Sequence, residues 1–155
     1  MRALPFDREE CQARLAGRED GLLLCQPQTF MNRSGWALRC LAERYELEPA
    51  RVLVVYDEVA LPLGRLRARA RGGAGGHRGM ESVLENLRTE EVARLRLGIG
   101  LAEGSAPPVD LALFVLAPFA AEEVAAADQL VALAADAAEA WLAEGIEAMM
   151  NRFNA

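Results

Sequence analysis

Asp57 closes the apolar run Val52-Leu53-Val54-Val55-Tyr56. Such a β-branched run marks a strand buried on both faces of a mainly parallel sheet, and Asp57 falls at its carboxyl end. Ligands of open α/β sheets gather outside those ends, where a carboxylate can orient a histidine or a water for general-base work. A solvated aspartate beside Glu58 is the plainer alternative. Downstream, Arg65, Arg67, Arg69 and Arg71 alternate at period two, which in a strand places all four on one face. A row of guanidinium groups suits a phosphate backbone, and no acid sits among them to pair; a solvated sheet face would look the same. Gly72-Gly73-Ala74-Gly75-Gly76-His77-Arg78-Gly79 follows. Its glycines let main-chain N–H groups approach an anion beside a helix start. It lacks the Gly-Lys-Ser/Thr ending of a Walker loop, and no buried strand leads into it as a dinucleotide fingerprint requires. His77 is the only histidine and so a tempting base, although a loop histidine bonded to backbone is the simpler expectation. Phe30-Met31-Asn32 offers a soft apolar contact and an amide that donates and accepts; a core methionine and a helix-entry asparagine compete with that reading.

The elements that must hold these groups alternate strand and helix, which indicates the α/β class. Residues 11–16 and 21–26 read as a hairpin around Gly17-Arg18-Glu19-Asp20. Ser34 can cap a helix over 35–47, with Trp36, Leu38, Leu41 and Tyr45 as its apolar face. Leu61-Pro62-Leu63-Gly64 turns the chain into a strand over 65–70. The glycine loop leads to a short helix over 80–87 and a strand over 95–99. Residues 101–109 read as a loop or lid. Residues 111–116 are apolar and too few to decide between helix and strand. A long amphipathic helix follows Pro118 and breaks at Glu144-Gly145, before a last helical piece over 146–153.

A length of 155 residues suits one domain, and 52% hydrophobic with 26% charged residues is ordinary for a globular protein. The net charge of −6 argues against nonspecific nucleic-acid affinity over the whole surface. The charge is uneven, however. Ala60 to Met80 holds five arginines and no acid, and Pro118 to Met150 seven acids and no base, so one face can attract phosphate while another repels it. All 17 basic residues are arginine, which we ascribe to codon bias in a GC-rich genome. No apolar run approaches the ~18 residues of a membrane span. The start, MRALPFDREECQ, has early acids and no apolar core of a secretory signal. Cys11, Cys25 and Cys40 are widely spaced without a C-x-x-C pair, so reduced thiols in a cytosol are expected and a metal site is not.

Taken together, Pro27-Gln28-Thr29-Phe30-Met31-Asn32-Arg33-Ser34-Gly35, Val55-Tyr56-Asp57-Glu58, Leu61-Pro62-Leu63-Gly64, Gly72 to Gly79, Arg94-Leu95-Arg96-Leu97-Gly98-Ile99-Gly100 and Met150-Asn151-Arg152-Phe153-Asn154 resemble bacterial-type peptidyl-tRNA hydrolase, in the family's order. The resemblance implies a single domain over residues 1–155. Its fold would be a three-layer α/β sandwich with a mixed, mainly parallel central sheet flanked by helices. It implies a cytoplasmic, monomeric enzyme that cleaves the ester between a peptide and the 3′ end of its tRNA and so recycles tRNA, with no cofactor, no metal, no membrane and no obligate protein partner. By position, Asp57 would orient and charge the catalytic histidine. Asn32 would contact substrate near the scissile ester, with Met31 and Phe30 beside it. Arg67 and Arg69 would clamp tRNA phosphate with help from Arg96. His77, at a loop histidine that is not the catalytic one, and Arg78, where many members carry an asparagine for the oxyanion, would join the substrate- and tRNA-binding residues. The family's first strand, its Gly-Asn-Pro-Gly-like turn and its histidine-bearing helix start have no counterpart before residue 11. The expectation is an N-terminally incomplete chain, from a misplaced start or a truncated gene, with impaired turnover. A non-catalytic tRNA-binding relative is the competing reading, and retention of Asp57, Met31 and Asn32 favours the hydrolase.

Overall fold

The computed structural model describes residues 4–154; residues 1–3 and 155, included in the single-domain expectation and, at the start, in the reading of the leader, lie outside the described residues. In chain order the elements are β1 (Arg8–Glu10), β2 (Ala13–Gly17), β3 (Leu23–Pro27), α1 (Ser34–Arg44), β4 (Leu53–Pro62), β5 (Leu66–Arg69), α2 (Arg78–Leu87), β6 (Ala93–Gly100), α3 (Leu111–Leu116), α4 (Val124–Glu144) and α5 (Ile146–Phe153). The α/β class is as expected. Two compact units divide the chain: one runs up to Val52 and includes Gly72–Val92, the other combines Leu53–Arg71 with the chain from Ala93 onward. No helix among the described residues is long and apolar enough to cross a membrane.

In the first unit β1, β2 and β3 form an antiparallel meander, with Leu15 opposite Cys25 and Gly17 opposite Leu23 in the expected hairpin. Its turn is held by Arg18, which donates twice to the Asp20 carboxylate and keeps that carboxyl down at about 2. Strand β1 was not anticipated, because Arg-Glu-Glu carries no apolar signal. Ala13 and Leu15 pack with Ala37 and Leu41 of α1. The expected apolar face of α1 needs correction: Gly35, Ala37 and Leu41 are buried, whereas Trp36 is 59% exposed with the Arg33 guanidinium 5.0 Å over its ring. The cause is a close approach of α1 to α2. A Cβ on Gly35 would lie 2.0 Å from the Ser82 carbonyl oxygen, and the Gly35 N–H donates to Ser82 Oγ at 3.0 Å. Small residues therefore set the buried stripe. Ser34 is not a cap but the first helical residue, and its Oγ donates to the Met31 carbonyl at 2.8 Å.

The expectation of three reduced cysteines is also corrected. Cys11, at the tip between β1 and β2, is joined to Cys40 of α1 by a disulfide. Their 29-residue separation concealed the pairing, which the hairpin brings about by folding back on the helix. Cys25 remains a free thiol, and burial pushes it up to about 11.

In the second unit the strand order is β4–β6–β5, with β4 parallel and β5 antiparallel to β6. Strand β4 does not end at Asp57, as the apolar run suggested; it continues to Pro62 through a register shift after Glu58. Glycines on β6 permit this. A Cβ on Gly98 would stand 2.1 Å from the Pro62 carbonyl oxygen, and one on Gly100 equally close to that of Val59. The chain then turns through Gly64 at φ 92°, with the Arg65 N–H donating to Pro62. Leu66, Ala68 and Leu95 from the sheet bury against Leu130, Ala134 and Ala137 of α4 and Met149 of α5. Gly145, at φ 93°, separates those helices where a break was expected. The undecided segment is α3, capped by Asp110, whose carboxylate accepts the Leu113 N–H at 3.1 Å.

Candidate active site and nucleic-acid interface

In the first unit, Met31, Asn32 and Arg33 form the short 3-10 turn that enters α1. Phe30 and Met31 are 80% and 54% exposed, which removes the reading of a core methionine. Asn32 does stand at a helix entry. Gly79 brings this turn against the start of α2. A Cβ there would lie 2.5 Å from Met31 Sδ and 3.0 Å from His77 Cε1. His77 itself is the N-cap of α2, and its Nδ1 accepts the Met80 N–H at 3.0 Å. The imidazole thus satisfies one of the orphan amides of a helix start. Asn32 and Arg78 line a polar cavity of about 340 Å³ together with Glu81, Ser82 and Glu85. Those three were missed by the sequence reading. Their spacing from Arg78 (i+3, i+4, i+7) is one face of a helix, a signal available once α2 is extended back to Arg78. The glycine loop uses part of its own backbone internally: the Gly72 N–H donates to the Glu90 carbonyl and the His77 N–H to that of Ala74, each at 3.1 Å.

In the second unit, Arg67 lies opposite Arg96 and Arg69 opposite Arg94 across the β5–β6 ladder. On the far side of β6, Tyr56 of β4 lies opposite Arg96. Strand alternation puts these side chains on one face of the sheet. The four-arginine stripe is therefore corrected. Only Arg67 and Arg69 belong to β5, while Arg65 is outside it and forms an exposed ion pair with Glu103 at 3.8 Å. The other two guanidiniums of the face come from β6, and Arg94 had not been singled out. The period-two spacing of Arg94 and Arg96 was its signal. Arg94 is almost wholly buried. Burial pushes the Tyr56 hydroxyl above its ordinary value, against the pull of Arg94 and Arg96. Among the described residues Arg96 Nε is buried without a hydrogen-bond partner, a vacancy that costs about 1–3 kcal/mol. Arg67 Nη1 donates to the Asn154 main-chain carbonyl, and Arg69 Nη1 to that of Ala68 at 3.2 Å.

Asp57 is half-buried and lies opposite Leu97 of β6, one step out of phase with Tyr56, Arg96 and Arg67. Alternation therefore directs its carboxylate to the sheet face opposite the guanidiniums. The closeness of carboxylate and arginines in sequence is not closeness on one surface. Among the described residues no group of three or more His, Cys, Asp or Glu side chains could hold a metal ion.

The model of the peptidyl-tRNA hydrolase family matches residues 3–155. A peptidyl-tRNA hydrolase of a Synechococcus species is 50% identical over 131 residues, which are 84% of this chain and 57% of that protein. One from Chloroflexus aggregans is 42% identical, covering 97% of this chain and 81% of its own length. The crystal structure of peptidyl-tRNA hydrolase from Acinetobacter baumannii superposes with a TM-score of 0.85 at 26% identity, over 98% of this chain and 78% of that one. The chain thus spans little more than half the length of the two Synechococcus relatives, 57% of each.

Proposed function

This chain belongs to the peptidyl-tRNA hydrolase family, and on that premise we propose that it acts on peptidyl-tRNA, splitting the ester that joins the peptide to the terminal ribose. Water adds to the ester carbonyl carbon, the carbonyl oxygen takes up negative charge, and the ribose oxygen leaves with a proton. The products are a free peptide acid and a reusable tRNA. Asn32 is assigned to the scissile end, where its amide N–H₂ donates to the developing oxyanion. Phe30 and Met31, apolar and exposed beside it, give the terminal nucleoside a surface to rest on. Arg78, lining the same cavity as Asn32, adds a cationic donor there. Asp57 is assigned to orient and charge the histidine that deprotonates the water. His77 is not given that role, because its Nδ1 already serves the start of α2.

Arg67, Arg69 and Arg96 are assigned to phosphate. The observation that carries the choice of substrate is the cross-strand pairing of Arg67 with Arg96, and of Arg69 with Arg94, on one sheet face. Like charges directly opposite one another repel, and an anion laid across them removes that cost. A tRNA is long enough to present its ester and its phosphates to different faces, so the opposite orientation of Asp57 is compatible with this division. We take residues 1–155 as belonging to a single peptidyl-tRNA hydrolase domain that works as a monomer in the cytoplasm, with peptidyl-tRNA as its partner.

The test is hydrolysis of N-acetyl-phenylalanyl-tRNA by the 155-residue chain and by the same chain preceded by the family's histidine-bearing segment. Turnover is expected from the extended form. In it, Asn32→Ala should lower kcat by about 100-fold while binding of deacylated tRNA stays the same. An Asn32→Ala enzyme with the parent kcat would remove Asn32 from the site.

A further inference from the structure

Asn154 follows the last turn of α5 and reaches the outer edge of β5. Its Oδ1 accepts the Ala68 N–H at 2.7 Å, and its Nδ2 donates to the Ala68 carbonyl at 2.9 Å. One side-chain amide thereby satisfies both main-chain groups of an edge residue, as a neighbouring strand would. The Asn154 main-chain carbonyl in turn accepts from Arg67 Nη1. That carbonyl sits at the C-cap of α5, where a helix end favours a cation. Arg67 needs such a tether. It stands directly opposite Arg96, and without a fixed acceptor the two guanidiniums would drive each other apart.

Building on the assignment of Arg67 to phosphate, we propose that Asn154 is a positioning residue for substrate binding. By clamping the end of α5 to Ala68 it holds the Arg67 guanidinium beside Arg96, with the N–H groups not given to Asn154 left for a phosphate oxygen.

The experiment is binding of deacylated tRNA across a salt series, at a temperature where melting curves show every variant folded. Arg67→Ala should weaken binding and lower the slope of log affinity against log salt by about one. Asn154→Ala should weaken it roughly three- to tenfold and lower the slope in the same sense. The double variant should bind no more weakly than Arg67→Ala alone, since both changes remove one interaction. Asn154→Asp keeps the acceptor for the Ala68 N–H but loses the donor, and it should fall with Asn154→Ala; it carries the comparison if the alanine variant does not fold. Wild-type affinity and slope in both Asn154 variants would overturn the inference, as would a loss that adds in full to that of Arg67→Ala. In the first case Asn154 would serve stability alone, and in the second it would act on binding independently of Arg67. A salt slope unchanged in Arg67→Ala would instead sink the phosphate assignment itself, and the inference with it.

Discussion

His77 gives its Nδ1 lone pair to the Met80 amide, so acting as a base through that atom would mean uncapping α2. Replacing it by alanine should cost about 1 kcal/mol, the ordinary value of an N-cap. The melting temperature should fall by roughly 2–4 °C. In the histidine-extended chain kcat should not change. A His77→Ala protein that melts like the parent and yet loses turnover would contradict this division of labour. Residue type left Met31 open between an exposed contact and a core position, and the structure exposes it. Residue type was a poor guide where the role is set by a neighbour distant in sequence. Arg67 reads as a free cation until Asn154 supplies its acceptor, and Arg94 reads as a solvated one until it is found buried.

The start of β4 and most of β6 could be read directly, because a continuous apolar, β-branched run opens the one and alternate apolar residues stopped by Gly100 fill the other. The true end of β4 could not. It depends on Gly98 and Gly100, whose missing side chains let the second half of that strand run close alongside β6. Gly98→Ala should therefore cost about 1–3 kcal/mol or more, since the added Cβ meets backbone rather than a movable side chain. Gly73→Ala is the control. Its nearest neighbour would be the Glu90 carboxylate at 4.0 Å, and the change should stay within about 0.5 kcal/mol. Equal denaturation midpoints for the two variants would refute the packing account. The small-residue stripe of α1 was illegible for a related reason. Gly35 and Ala37 score as weakly apolar, yet close packing on α2 needs them inside and leaves Trp36 outside. Strand β1 is wholly polar and α3 is six residues long, so neither periodicity nor composition could identify them.

At the scale of the molecule, the net charge of −6 coexists with two pairs of guanidinium groups on one sheet face. Binding should thus be local and salt-sensitive, with the acidic stretch from 118 to 150 keeping polyanions away elsewhere. The Cys11–Cys40 bond ties the meander to α1 and is at odds with a reducing cytosol, where such a pair would stand open as thiols. Neither the bond nor the arginine face changes the chemistry assigned to Asp57, on which the hydrolase reading turns. The most direct measurement is the rate at which the histidine-extended chain releases N-acetyl-phenylalanine from its tRNA, with Asp57 intact and as Asp57→Asn. Loss of the carboxylate should slow release by about 100-fold or more and leave tRNA affinity unchanged. Equal rates for the two proteins would contradict the account.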